Sequence, residues 1–130
     1  MINANELRIG NWVKHSVNEI QVRYITTISE DGVRVDSGRT WYLNEISPIP
    51  LTPEILIKCG FKWSDYWKSY QVEKFDVEMY TSEGGEYLCH LMGAYTEQEV
   101  SAYLCTIKHL HQLQNLYFAL TGTELVVDLV

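Results

Sequence analysis

Basic charge is what this sequence has least of. Its 130 residues carry 10 Lys plus Arg against 17 Asp plus Glu, a net charge of −7, and a field of that sign repels a polyanion rather than steering it in. A general nucleic-acid binder is therefore a poor first expectation. Cysteine is also sparse: Cys59, Cys89 and Cys105 are an odd number without CxxC spacing, which does not suit a disulfide framework. Buried free thiols in a reducing compartment are expected instead. The opening Met1-Ile2-Asn3-Ala4-Asn5-Glu6 has no cationic stretch before an apolar run, and nowhere do eighteen apolar residues follow one another. These absences predict a cytoplasmic protein with no secretory signal and no membrane span.

What is present is apolar and aromatic. Hydrophobic residues make up 46% of the chain, with 4 Trp, 9 Tyr and 3 Phe, enough large rings to bury a real core and to exclude disorder. The length accommodates one domain or two very small ones. Charge is unevenly divided: residues 51–130 hold five lysines, no arginine and eleven acids, while all four arginines (Arg8, Arg23, Arg34, Arg39) precede residue 51. Arginine recognises planar anions better than lysine does, so an anionic ligand would meet the first part.

Pattern and punctuation predict an α+β fold in two parts. Residues 1–50 read as short strands. Leu7-Arg8-Ile9 alternates before the Gly10-Asn11 turn; Trp12-Val13-Lys14 is extended; Glu19 to Ile28 carries Ile20, Val22, Tyr24, Thr26 and Ile28 at period two. Ser29-Glu30-Asp31-Gly32 predicts a hairpin turn with Gly32 at positive φ, Val33-Arg34-Val35 the returning strand, and Thr40 to Leu43 with Ile46 a fourth. Such spacing, ending at Pro48 and Pro50, points to a small SH3-like β-barrel. Residues 51–130 then predict a helix with Thr52 as N-cap, Pro53 at its first position and Gly60 as its stop. An antiparallel sheet follows, from Phe61 to Ile107, and a C-terminal helix over Lys108 to Thr121 packs on it through Leu110, Leu113, Leu116, Tyr117 and Leu120. The two parts are expected to share an interface, since each is small for independent stability.

Three segments carry a resemblance. Ala4-Asn5-Glu6-Leu7-Arg8-Ile9-Gly10-Asn11-Trp12-Val13, Ile46-Ser47-Pro48-Ile49-Pro50-Leu51-Thr52 and His111-Gln112-Leu113-Gln114-Asn115-Leu116-Tyr117-Phe118-Ala119-Leu120-Thr121-Gly122 cover about a quarter of the chain. They resemble a family of small proteins from gut Bacteroidetes, their phages and their integrated elements. The resemblance implies an origin on a mobile element and a cytosolic setting, and it transfers no catalytic or ligand residue.

No reading of the residues yields an enzyme signature. Cys105, His109 and His111, with Cys89 and His90, suggest a metal site only on paper, because two histidines two apart on a helix point about 200° apart. Cys89 and His90, adjacent on a strand, point to opposite faces and cannot pair as nucleophile and base. Gly84-Gly85 lacks the Lys-Ser or Lys-Thr of a phosphate loop. The acid pairs Glu83 with Glu86 and Glu97 with Glu99 read as solvated loops. No metal and no cofactor are expected. What remains is binding. Trp12, Trp41 and Tyr42 suggest an aromatic barrel groove, His111, Gln114, Asn115 and Phe118 a helix face for a protein partner, and Trp63, Tyr66, Trp67 and Tyr70 either a stacking platform or core. The expectation is a non-catalytic binding or adaptor protein. Its alternative is a nucleic-acid-associated accessory protein that uses Arg8, Arg23, Arg34 and Arg39.

Overall fold

The computed structural model describes residues 2–91 and 102–129. The first part builds one antiparallel sheet from β1 (Trp12–His15), β2 (Val22–Ile28), β3 (Gly32–Val35), β4 (Thr40–Tyr42) and β5 (Ile46–Ser47) in the order β4-β3-β2-β1-β5. A single 3-10 turn, Leu43–Glu45, separates β4 from β5. These two strands are the edges, so the ladder is open. Val13, Ile25, Val33, Val35, Trp41 and Ile46, with Ile2, form its core.

Three expectations for this part change. Leu7 to Ile9 form no strand, because Ala4–Glu6 close a 3-10 turn in which the Asn3 carboxamide accepts from the Asn5 N–H and Glu6 reaches back to the Asn3 N–H. The period-two set turns mostly outward: Ile20, just before β2, and Tyr24 and Ile28 within it are exposed while Ile25 is fully buried, and Val22 packs against the larger core. A bulge between Ile25 and Thr27 interrupts the β2–β3 register, and such bulges bend a strand. Gly32 is glycine for lack of space rather than for a positive φ, since a Cβ there would stand 2.2 Å from the carbonyl oxygen of Trp41 on the paired strand.

The second part starts with α1 (Pro53–Lys58), whose Thr52 side chain accepts from the Ile55 N–H, and turns out of it at Gly60 with φ +90°. A second antiparallel sheet follows, of β6 (Lys62–Ser64), β7 (Ser69–Val72), β8 (Phe75–Thr81), β9 (Tyr87–Leu91) and β10 (Ala102–Ile107), in the order β10-β9-β8-β7-β6. The polar stretch from Tyr95 to Glu99 lies outside the described residues, and with it the pair Glu97 and Glu99. The chain thus has an α+β fold with two antiparallel sheets and one main helix, α2 (Leu110–Thr121).

That helix begins where Gln112 accepts from the N–H groups of Lys108 and His109, and it stops at left-handed Gly122. Leu110 and Leu113 enter the larger core with Leu56, Phe61, Phe75, Val77, Met79, Tyr87 and Cys89. Trp12, from the first part, belongs to this same core. The chain of Ile49 to Leu51 is stitched to the start of α2 through Leu110 N–H to Ile49 O and Leu51 N–H to Lys108 O, both 2.8 Å. The two parts are therefore joined at β1, at the Pro50 crossing and along α2.

Candidate functional site

The helix face adjoining Leu110 and Leu113 packs against the first part. His111 is 1% exposed and Gln114 2%, and the reason is a set of side-chain to backbone bonds. The Gln114 Oε1 accepts the Trp12 N–H at 2.8 Å, and its Nε2 donates to the Gly10 carbonyl at 3.0 Å. Asn115 donates to the Glu6 carbonyl and accepts from Asn11 Nδ2 at 2.8 Å and from Arg8 Nε at 3.1 Å. Arg8 also pairs with Glu124 and lies 4.3 Å over the Phe118 ring. The Gln114 and Asn115 amides are thus met by loop groups that would otherwise lack a partner, the condition for burying both, whereas the His111 ring nitrogens are buried without a hydrogen bond among the described residues.

Hence four of the seven residues expected at a partner surface are withdrawn from it. Trp12 and Trp41 are core residues, the first meeting Tyr24 edge-on with ring centroids 5.4 Å apart. His111 and Gln114 are sealed at the internal seam, where Asn115 is also engaged. Tyr42 is exposed, and Phe118 is partly exposed beneath Arg8. The arginines do not form one free face: Arg8 is held by Glu124 and Arg23 stands 3.9 Å from Asp36, while Arg34 and Arg39 are exposed without an ion pair among the described residues.

The histidine geometry also differs from expectation. His109 precedes the helix in an extended conformation, φ −125° and ψ 151°, so its ring lies parallel to that of His111, 9° apart with centroids at 5.7 Å. The helical angle of 200° therefore does not apply. Burial lowers the affinity of both rings for a proton; for His111 the Glu6 carboxylate opposes this, with Oε1 3.6 Å from Nε2, beyond hydrogen-bond reach. Among the described residues no group of three His, Cys, Asp or Glu side chains is placed to hold a metal ion.

The cysteines are free, Cys59 and Cys89 are buried, and Cys89 faces Cys105 across β9 and β10. Burial pushes both the Cys59 and the Cys89 thiol up to about 12, the opposite of an activated nucleophile. On the sheet face away from α2, the Glu78 carboxylate is buried and accepts from the Tyr80 hydroxyl and, at 3.5 Å, from Ser69. Burial and that carboxylate raise the Tyr80 phenol to about 12. This is a satisfied polar layer.

The open surface lies elsewhere, on the hairpin of β6 and β7. Trp63 is 44%, Tyr66 82% and Trp67 45% exposed, while Tyr70 is buried. The ladder explains the split: Trp63 pairs with Tyr70 and meets its ring at 4.9 Å, yet β6 is the sheet's edge and no further strand covers Trp63. Tyr66 and Trp67 stack edge-on at 4.7 Å in the connecting turn, which Lys68 closes at φ +55°. A non-glycine residue in that region costs about 1 kcal/mol, and Lys74 in the β7–β8 turn shares the conformation at φ +66°. Beside the hairpin lies a groove of about 550 Å³ lined by Gly60, Lys62, Trp63, Ser64, Gln71, Val72 and Glu73. Exposed aromatic rings, a concave wall and mixed donors and acceptors suit contact with another molecule.

In the described residues no helix is long and apolar enough to cross a membrane. No family model, curated protein or solved structure matches the chain. What the fold and site define is an α+β chain whose main helix buries its first turns between the two parts and whose second sheet keeps an aromatic edge open.

Proposed function

We propose that this is a cytoplasmic, non-catalytic binding or adaptor protein of phage or mobile-element origin, and that it holds a protein partner on the β6–β7 hairpin. The single observation that carries the reading is the grouping of Trp63, Tyr66 and Trp67 on the surface, 44 to 82% exposed, beside a groove. Aromatic anchors in or near a concave patch dominate the affinity of protein interfaces. The buried histidines and high thiols give it no support as an enzyme site. The first sheet is read as a small SH3-like barrel: five short strands in the order β4-β3-β2-β1-β5, a bulge in β2, and the 3-10 turn before β5 support that reading. Its contribution is then to clamp α2 and leave the second sheet's edge free.

The test is recovery of tagged protein from its host, with and without nuclease, alongside a Tyr66→Ser/Trp67→Ser variant. A stoichiometric protein that survives nuclease and is lost with the variant is the expected result. Material that vanishes with nuclease overturns the protein-partner reading. It would favour the nucleic-acid alternative, for which Arg34 and Arg39 are the exposed, unpaired cations of the first part, and which demands steep weakening with salt.

A further inference from the structure

We infer that Cys89 and Cys105 form a reversible modification site, a dithiol that a low-molecular-weight disulfide oxidises to a cross-strand disulfide. The two residues are direct partners in the β9–β10 ladder, and both pack in the core that α2 covers. Directly paired Cα atoms of an antiparallel ladder lie about 4.5 or about 5.5 Å apart, inside the roughly 4.4–6.8 Å that a disulfide spans. The pairing is owed to a bulge. Counted from Tyr103 opposite His90, a regular ladder would set Leu104 against Cys89; the register shift between Tyr103 and Cys105 brings the second thiol there instead, the kind of re-aiming that bulges perform. The Cys89 thiol donates a hydrogen bond to the Cys105 sulfur, so the two sulfurs are already in contact.

Exposure sets the order of attack. Cys89 is fully buried and Cys105 only partly, and β10 is the outer strand of its sheet, so Cys105 meets a soluble disulfide first. Its thiolate attacks one sulfur of the reagent; the reagent's S–S bond breaks, a mixed disulfide forms at Cys105, and the small thiolate that leaves takes up the proton Cys105 gave up. Cys89 then gives up its own proton and attacks the Cys105 sulfur, expelling the second small thiol. Two protein thiols are oxidised and one external disulfide is reduced to two thiols, with both protons on the leaving groups. Burial, and after it the charge of Cys105, holds the Cys89 proton in place. Capping Cys105 removes the second cause, and contact between the sulfurs makes the closing step intramolecular. Cys59, buried at the C-terminal end of α1 and outside either ladder, stays reduced. In a reducing compartment such a pair rests as thiols and closes under oxidative challenge.

The experiment incubates the full chain with oxidised glutathione in native buffer and reads the intact mass and a non-reducing peptide map. Loss of two hydrogens, a cross-link between Cys89 and Cys105, an alkylatable Cys59 and reversal by dithiothreitol are expected. The thermal midpoint should rise by roughly 5–10 °C, because the bond closes a loop of about 15 residues. Cys105→Ser should abolish the mass loss, and Cys89→Ser should stop at a glutathione adduct on Cys105; the wild-type map decides if either variant fails to fold. No reaction, a wild-type chain that keeps its glutathione adduct, a cross-link to Cys59, a cross-link that needs denaturant, or a midpoint lowered by oxidation overturns the inference.

Discussion

Arg8 with Phe118 at the seam, and the lysines and rings of the β6–β7 hairpin, combine the same classes of residue, and they end differently. At the seam, Arg8 lies over Phe118 while its guanidinium bonds Glu124, Asn115 and the Gln114 carbonyl. On the β6–β7 hairpin, Lys62 and Lys68 flank Trp63, Tyr66 and Trp67 in the sequence, and among the described residues neither lysine has an ion-pair partner. The residue types are similar, yet the chain uses up the valences of one cluster internally and leaves those of the other to the outside. Residue chemistry alone therefore does not mark an interaction surface; what marks it is chemistry left unsatisfied by the fold.

The comparison breaks most severely at Gln114. Gln114→Ala strands both the Trp12 N–H and the Gly10 carbonyl in a buried seam. Each orphaned group costs about 1–3 kcal/mol, so a loss of about 3 kcal/mol is expected, read as a lower urea midpoint with unchanged slope. A loss under about 1 kcal/mol would mean that water enters the seam and that α2 is not its closing element.

The seam also shows how far the sequence was legible. The leucine spacing and Gly122 place α2 and bury Leu110 and Leu113, because one apolar stripe has a recognisable period, but Leu120, expected on the same face, is 50% exposed. The second buried face is polar, and periodicity is blind to it. Its signal was a missing one: from Leu110 to Thr121 the helix has no charged residue, which a solvent-facing side rarely lacks. The four rings from Trp63 to Tyr70 were equally visible, but their burial depends on β6 being an edge, and strand order is a property of the whole sheet. The outward turn of Tyr24 and Ile28 was hidden for a similar reason, since Ile25 is buried by Val13, Val33, Val35, Trp41 and Ile46 of the sheet's other strands and not by anything local to β2.

A smaller effect follows from His111 and His109. Burial holds both imidazoles neutral below the unfolded value of about 6.5, so the unfolded chain takes up protons that the folded one resists. The stability is complete above that value and is lost as pH falls below it. The Glu6 carboxylate opposes the loss and Lys108, acting on His109, adds to it; neither outweighs burial. Thermal midpoints should decline from pH 7 to pH 5.5, and the slope should flatten in His111→Leu whatever that variant's stability at pH 7. An unchanged slope would show that Glu6 compensates fully, and the seam would not be acid-sensitive.

The smallest effect sharpens the contrast most. Tyr66 is 82% exposed and touches Trp67 alone among the rings, so Tyr66→Ser should change stability by under about 0.5 kcal/mol, as surface substitutions do. The same loss of a ring at Trp12, inside the shared core, would cost about 3–5 kcal/mol. If denaturant unfolding shows Tyr66→Ser to be costly, the hairpin rings are a folding element and their exposure needs no partner to explain it. If it is neutral, the ring is free of any role in the fold, as the proposed partner contact on the hairpin requires.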